Sequence, residues 1–127
     1  MPYSASWRDP QNKKYGRKNQ IEGSLRKGQK VLVIDDLIST GRSSLEVVKA
    51  IRKLGGRVTS VLAITTYCLK EAEKNFANNK VGLHALTDLN HTCKIAVKNG
   101  LLKKERVDLI KEWSKDPKGW GKKMGFE

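Results

Sequence analysis

Lys30-Val31-Leu32-Val33-Ile34-Asp35-Asp36-Leu37-Ile38-Ser39-Thr40-Gly41-Arg42-Ser43-Ser44 is the stretch whose reading decides the fold. Its first part is an apolar run rich in β-branched residues, the pattern of a strand buried on both faces. The run ends in two adjacent carboxylates. A short hydroxyl-rich turn with Gly41 follows, and then a helical pattern begins. A strand, a small polar loop and a helix N-terminus together make an anion site, because unpaired backbone N–H groups and the helix dipole converge on the loop. Two carboxylates beside that loop would repel a bare phosphate. They suit a ligand that carries hydroxyls or a magnesium ion next to its phosphate. The backbone and Ser39, Thr40 and Ser43 would hold the phosphate, and the acids would take the hydroxyls. A sugar phosphate meets that description. An ordinary strand-to-helix loop, with Asp at the strand end and Ser near the N-cap, is the plain alternative.

Outward from this stretch the pattern is α/β. Leu45, Val47, Val48, Ile51 and Leu54 recur at helical spacing, and Gly55-Gly56 supplies a glycine stop. Arg57 to Thr66 is a second β-branched run, which makes a parallel strand after a crossover helix. Leu69 to Asn78 reads as an amphipathic helix with Ala72 and Phe76 inward. Val81 to Leu86 reads as a third strand. Asp88 can cap a helix carrying Leu89, Cys93, Ile95, Ala96 and Val97. Lys103 to Trp113 forms another helix, which Asp116-Pro117 stops. Ile21 to Leu25 reads as a short edge strand. Residues 1–19 are polar, basic and broken by Pro2 and Pro10, so they read as a flexible loop or tail. The α/β core is then 20–115, and 116–127 is a basic tail of one single domain.

The chain has 127 residues and a net charge of +13. Such a balance attracts polyanions, whether phosphorylated substrates or nucleic acid, although a merely solvated basic surface fits it equally. Three Trp, three Tyr and two Phe, none interleaved with basic residues in a stacking pattern, give little support to single-strand binding. Cys68 and Cys93 are isolated and lack metal-ligand spacing, as in a reduced cytoplasmic protein. No apolar run approaches the roughly 18 residues of a membrane span, so no membrane partner is expected.

The run Val31–Ser44 resembles the phosphoribosyl pyrophosphate (PRPP) loop of type I phosphoribosyltransferases, and it is most similar to that of the orotate phosphoribosyltransferases: hydrophobic strand, two acids, two apolar residues, then Ser/Thr–Thr/Ala–Gly. The similarity extends roughly from Lys13 onward. It includes Asn19-Gln20-Ile21-Glu22-Gly23, Thr66-Tyr67 after the second strand, Leu86-Thr87-Asp88, and the closing Trp113-x-x-Asp116-Pro117. The resemblance implies a parallel-sheet, three-layer, Rossmann-like phosphoribosyltransferase core. It implies transfer of phosphoribosyl from PRPP to orotate, giving orotidine 5′-monophosphate and pyrophosphate. PRPP would be held by Arg8, Lys13, Asp35, Asp36, Leu37, Ile38, Ser39, Thr40, Gly41, Arg42 and Ser43. Orotate would meet Ser39. Lys13 and Asp36 would be catalytic. Magnesium would be carried mainly on PRPP, with no direct protein ligand.

The likeness has departures. In the region of the family's catalytic loop, Lys13 and Gly16 match, Tyr15 stands where the family has histidine, and Arg8 takes the arginine's place only with one residue inserted. Relative to the family's full domain the chain reads as N-terminally truncated. A parallel sheet lacking a strand leaves an open edge, so a homodimer or a sheet-completing partner is expected. Two other functions compete: a non-catalytic PRPP or nucleotide-phosphate binder, and a basic nucleic-acid-associated protein that reuses the fold.

Overall fold

The computed structural model describes residues 5–7 and 21–125. Arg8 and Lys13 lie outside the described residues. The element order is β1 (Ala5–Trp7), β2 (Ile21–Gly23), β3 (Lys30–Ile38), α1 (Arg42–Lys53), β4 (Arg57–Thr66), α2 (Lys70–Asn78), β5 (Gly82–Asp88), α3 (Leu89–Lys98), α4 (Lys104–Lys115) and α5 (Pro117–Lys123). Strands β3, β4 and β5 form a parallel sheet in that order. Helices α1 and α2 are the crossovers between them, giving two consecutive βαβ units. The short strands β1 and β2 pair antiparallel in a sheet of their own. The segment expected to be an edge strand of the main sheet therefore pairs elsewhere.

The core lies between the sheet and helices α1 and α2. Val33, Val58, Val61 and Ala63 project from the strands to meet Leu45, Val48 and Ile51 of α1 and Ala72 and Phe76 of α2. These are the positions that the two periodicities assign to inner faces. The register of β3 on β4 shifts between Val31 and Val33, so that Val31 faces Val58 while Val33 faces Val61. That shift lets Val58 and Val61, three apart, both face the core. The Arg52 guanidinium donates to Val58 O at 2.7 Å and to Asn79 O at 2.8 Å, fastening the end of α1 to the turn before β5.

Two sequence expectations differ from the structure. The β3 run reads as buried on both faces, yet Leu32 and Ile34 are 54% and 70% exposed. Apolar composition records what a face can bury, not what is present to cover it. The stretch from Asp116 reads only as a basic tail with no element assigned, yet Pro117–Lys123 is a helix. The same Asp-Pro pair that stops α4 also starts α5: the Asp116 carboxylate accepts from Gly119 N at 3.0 Å, and Pro117 sits at the first position, where its missing N–H is no loss. Asp88 caps α3 as expected, accepting from His91 N at 2.8 Å.

Phe76 is 3% exposed and lies under both α1 and the loop before it. Phe76→Ala is expected to lower stability by about 3–5 kcal/mol, read as a shift in the urea midpoint at unchanged slope.

Candidate functional site: the β3–α1 loop

Ser39, Thr40 and Gly41 join β3 to α1. The loop's shape follows from where its carbonyls go. Ile38 O accepts from Tyr67 N at 3.0 Å and from Thr66 Oγ1 at 3.3 Å. Thr40 O accepts from Asn75 Nδ2 of α2 at 2.9 Å. In a planar trans peptide the N–H points opposite to the C=O. With Ile38 O and Thr40 O tied to the scaffold, the amides of Ser39 and Gly41 point away from it. Gly41 is the N-cap of α1 with φ +76°, and a Cβ there would run into the Phe76 ring. Glycine is therefore required both by backbone conformation and by close approach. No side chain caps the N-terminus of α1, and its first turn carries no acid. Those amides remain open to an anion, with the helix dipole behind them.

The two acids diverge, because consecutive residues on a strand face opposite ways. The Asp35 carboxylate accepts from the buried Ser44 hydroxyl on the α1 side, and its other oxygen accepts from Asp36 N at 2.9 Å. Asp36 is exposed on the other face, where Oδ1 accepts from Leu37 N at 2.7 Å. The geometry thus fixes Asp35 and presents Asp36. Ser39 and Ser43 are exposed, Thr40 and Leu37 are half-buried, and Ile38 is buried, so Ile38 reaches a ligand through backbone alone. The Arg42 guanidinium pairs with Glu71 of α2 at 2.8 Å, and Lys118 of α5 pairs with the same carboxylate at 3.3 Å. The hydrogen bond from Lys118, with its charge and Arg42 adding to it, holds the Glu71 carboxyl below the usual carboxylate range against the opposing effect of burial.

Beside the loop, a cleft of about 260 Å³ opens at the carboxyl ends of β4 and β5 and is lined by Thr66, Cys68, Asp88 and His91 among others. Burial pushes the Cys68 thiol up, and the Asp88 and Glu73 carboxylates add to the effect. Tyr67 packs edge-on against Trp113 with ring centroids 5.2 Å apart, so it serves packing. Among the described residues no group of three or more His, Cys, Asp or Glu could hold a metal ion. Sequence reasoning missed Asn75, Phe76 and Glu71 as parts of the site. Asn75 lies one turn from a helix end, where an Asn reads as a stop signal, and Phe76 reads as core alone.

No protein-family model matches the chain. Relatives do. An orotate phosphoribosyltransferase of Cytophaga hutchinsonii is 41% identical over 113 residues, 89% of this chain and 54% of the relative. Along 89% of its length the chain is therefore similar to orotate phosphoribosyltransferases. The crystal structure of orotate phosphoribosyltransferase from Aeropyrum pernix superposes with a TM-score of 0.58 at 29% identity, over 74% of this chain and 50% of that one. A Mycobacterium tuberculosis orotate phosphoribosyltransferase in complex with PRPP superposes with a TM-score of 0.51 at 31% identity, over 55% of this chain and 43% of that one. The chain spans about half the length of the curated relatives it matches. The α/β phosphoribosyltransferase core expected from the β3–α1 motif is the fold these structures share.

Glu71 tests the surface network by pH. A carboxyl held below its ordinary value contributes above the unfolded value and loses that contribution as pH falls through the folded one. The Glu71 carboxyl should therefore titrate below an ordinary glutamate in carbon-detected NMR, and Lys118→Ala should bring it back up.

Proposed function

We propose that this chain carries the PRPP-binding and sugar-activating half of an orotate phosphoribosyltransferase. The observation that carries the reading is the β3–α1 loop, whose Ser39 and Gly41 amides face away from the scaffold beside an exposed Asp36. The PRPP 5′-phosphate would sit on the amides of the loop and of the first turn of α1, with the Ser39, Thr40 and Ser43 hydroxyls around it. Asp36 would accept from the ribose hydroxyls. Asp35, held by Ser44, would orient that corner of the strand. Arg42 would exchange Glu71 for the phosphate at little cost, because the ion pair is exposed and solvent-screened and Lys118 still balances Glu71. Orotate would approach from the cleft at the ends of β4 and β5 and meet Ser39 of the loop. Its ring nitrogen, having given its proton to water, forms the bond to the sugar C1 as the bond to pyrophosphate breaks, and the electron pair of that bond leaves on pyrophosphate. The carboxylate of Asp36 favours the positive charge that develops on the sugar. Lys13 would meet the charge growing on pyrophosphate, and Arg8 would bind the same group.

A magnesium ion would be carried chiefly by PRPP oxygens and water, the usual arrangement at phosphate sites. The exposed Asp36 carboxylate fits an outer contact to it. It would neutralise charge on the leaving pyrophosphate. The reading places the protein in the cytoplasm, where Cys68 and Cys93, both free thiols, stay reduced; no helix among the described residues is long and apolar enough to cross a membrane. The net charge of +13 would draw in the polyanionic substrate. The same charge leaves a nucleic-acid partner as the second reading, with steep salt dependence as its mark. The exposed β3 face favours assembly with a sheet-completing chain over a homodimer.

Calorimetric titration with PRPP and magnesium is expected to show one site per chain, and Asp36→Asn to weaken it at least about tenfold, the loss of one charge-assisted contact. Gly41→Ala should abolish the site and cost about 1–3 kcal/mol of stability through backbone strain. Heat that is unchanged by Asp36→Asn would remove the reading. Loss of orotate absorbance in the presence of PRPP separates an enzyme from a silent binder.

A further inference from the structure

The net charge of +13 is not spread evenly. Residues 24–34, 47–66 and 77–87 carry no Asp or Glu. These segments hold the turns that feed β3, β4 and β5. Lys27, Lys30, Arg52, Lys53, Arg57 and Lys80 stand at those turns, all exposed. The acids lie toward the other end of the sheet: Asp35 and Asp36 in β3, Asp88 closing β5, and Glu71 and Glu73 in the first turn of α2. Helix α4 shows the ordinary arrangement. Its Lys104, Arg106 and Lys111 alternate with Glu105, Asp108 and Glu112, the mixed pattern of a merely solvated surface.

Backbone bonds draw the six cations onto one surface. Gly28 N donates to Gly55 O at 2.7 Å, and Arg57 N donates to Gln29 O at 2.7 Å, so the turn before β3 is locked onto the turn before β4. Lys30 and Arg57 are register partners on these adjacent strands. A Cβ on Gly55 would lie 3.0 Å from Lys27 Cγ, so the Lys27 stem crosses the same turn. Arg52 reaches the third turn: besides Val58 O and Asn79 O, its guanidinium donates to Lys80 O at 3.3 Å. Those acceptors are all carbonyls. Among the described residues none of the six cations pairs with a carboxylate. Like charges gathered without counter-charge repel one another, so the pole is complementary to a partner that brings negative charge.

PRPP in the β3–α1 loop is not that partner. The nine residues of β3 separate Lys30 from the loop, roughly 30 Å at about 3.3 Å per residue. An anionic membrane is held by apolar anchors as well as by charge, and Leu54 is the one large apolar side chain exposed at these turns among the described residues. A single strand is gripped by aromatic stacking, and the three segments contain no Trp, Tyr or Phe. A duplex can be held through phosphates alone, and it offers one negative charge per about 1.7 Å of its axis.

We propose that the basic pole at the amino ends of β3, β4 and β5 binds double-stranded nucleic acid through its phosphates, without reading the bases. This gives the nucleic-acid reading named above its surface, and it does not rest on PRPP binding.

Fluorescence anisotropy of the full chain with a short labelled DNA duplex tests it. Six phosphate contacts give a slope of about −5 in log affinity against log salt. Lys30→Gln with Arg57→Gln should weaken binding at low salt at least tenfold and make that slope shallower by about 2. Lys104→Gln with Lys111→Gln removes as much charge from α4 and should weaken binding far less. All four positions are exposed, so both double variants should keep the circular dichroism of the chain. A duplex of scrambled sequence should bind equally well. Four results overturn the proposal: no binding at low salt, equal weakening by the two double variants, binding to phosphatidylserine vesicles but not to the duplex, or a strong preference for one duplex sequence. PRPP titration should be the same with and without Lys30→Gln and Arg57→Gln, so failure of the basic pole and failure of the phosphate loop give different results.

Discussion

The site depends on the orientation of two peptide units. Ile38 O is held by Tyr67 N and Thr66 Oγ1 from β4, and Thr40 O is held by Asn75 from α2. Each bond contributes only about 1 kcal/mol net, which is too little to matter to global stability. Their importance is directional. A carbonyl fixed inward turns the next amide outward, and a loop fixed before the ligand arrives does not spend binding energy on its own ordering. The packing below enforces the same shape. Phe76 fills the space where a Cβ on residue 41 would sit, so the loop can descend onto the core only with glycine in the left-handed region. Core and loop are therefore one object: the side chain that closes the hydrophobic interior is also the floor of the β3–α1 loop.

This coupling explains what could be read from the sequence. The strand–loop–helix unit was legible because each part carries its own local signal: a β-branched run, a glycine at the turn, and apolar positions at 45, 48 and 51 with helical spacing. Ala72 and Phe76 were legible as core for the same reason. The supports were not. Asn75 near a helix end has the sequence signature of a terminator whether or not its amide reaches a carbonyl 35 residues away. Asp116-Pro117 has the signature of a stop, although stopping one helix and starting the next use the same two residues. Arg8 and Lys13 lie in stretches outside the described residues, so their roles stand on the sequence motif alone.

The open face of the sheet shows a different kind of illegibility. In β3 the alternation Leu32, Ile34 against Val31, Val33 is apolar on both sides, and that pattern predicts burial on both sides. The structure buries one side only. Nothing in the strand distinguishes a face covered within the chain from one covered by other polypeptide, because the hydrophobic effect is blind to connectivity. What distinguishes them is the number of elements available. Both crossover helices pack on the same face, as they must when strands are added in one direction with right-handed connections. A one-way strand order therefore leaves the second face bare, and it does so regardless of how apolar that face is.

The paired acids belong to the same geometry. Adjacent in sequence, Asp35 and Asp36 invite a joint role, but adjacency on a strand separates them to opposite faces. Asp35 turns toward α1 and meets the buried Ser44, where an unpaired hydroxyl or carboxylate would be costly. Asp36 turns toward the bare face and keeps its exposure. A ligand in the loop can therefore reach one of them directly and the other only through the backbone it orients. The exposed carboxylate is thus the one whose surroundings are least complete among the described residues, with Ile64 and Leu86 beside it in the same row. Whatever covers those two side chains also sets how much water reaches Asp36, and with it the effective dielectric in which that carboxylate acts.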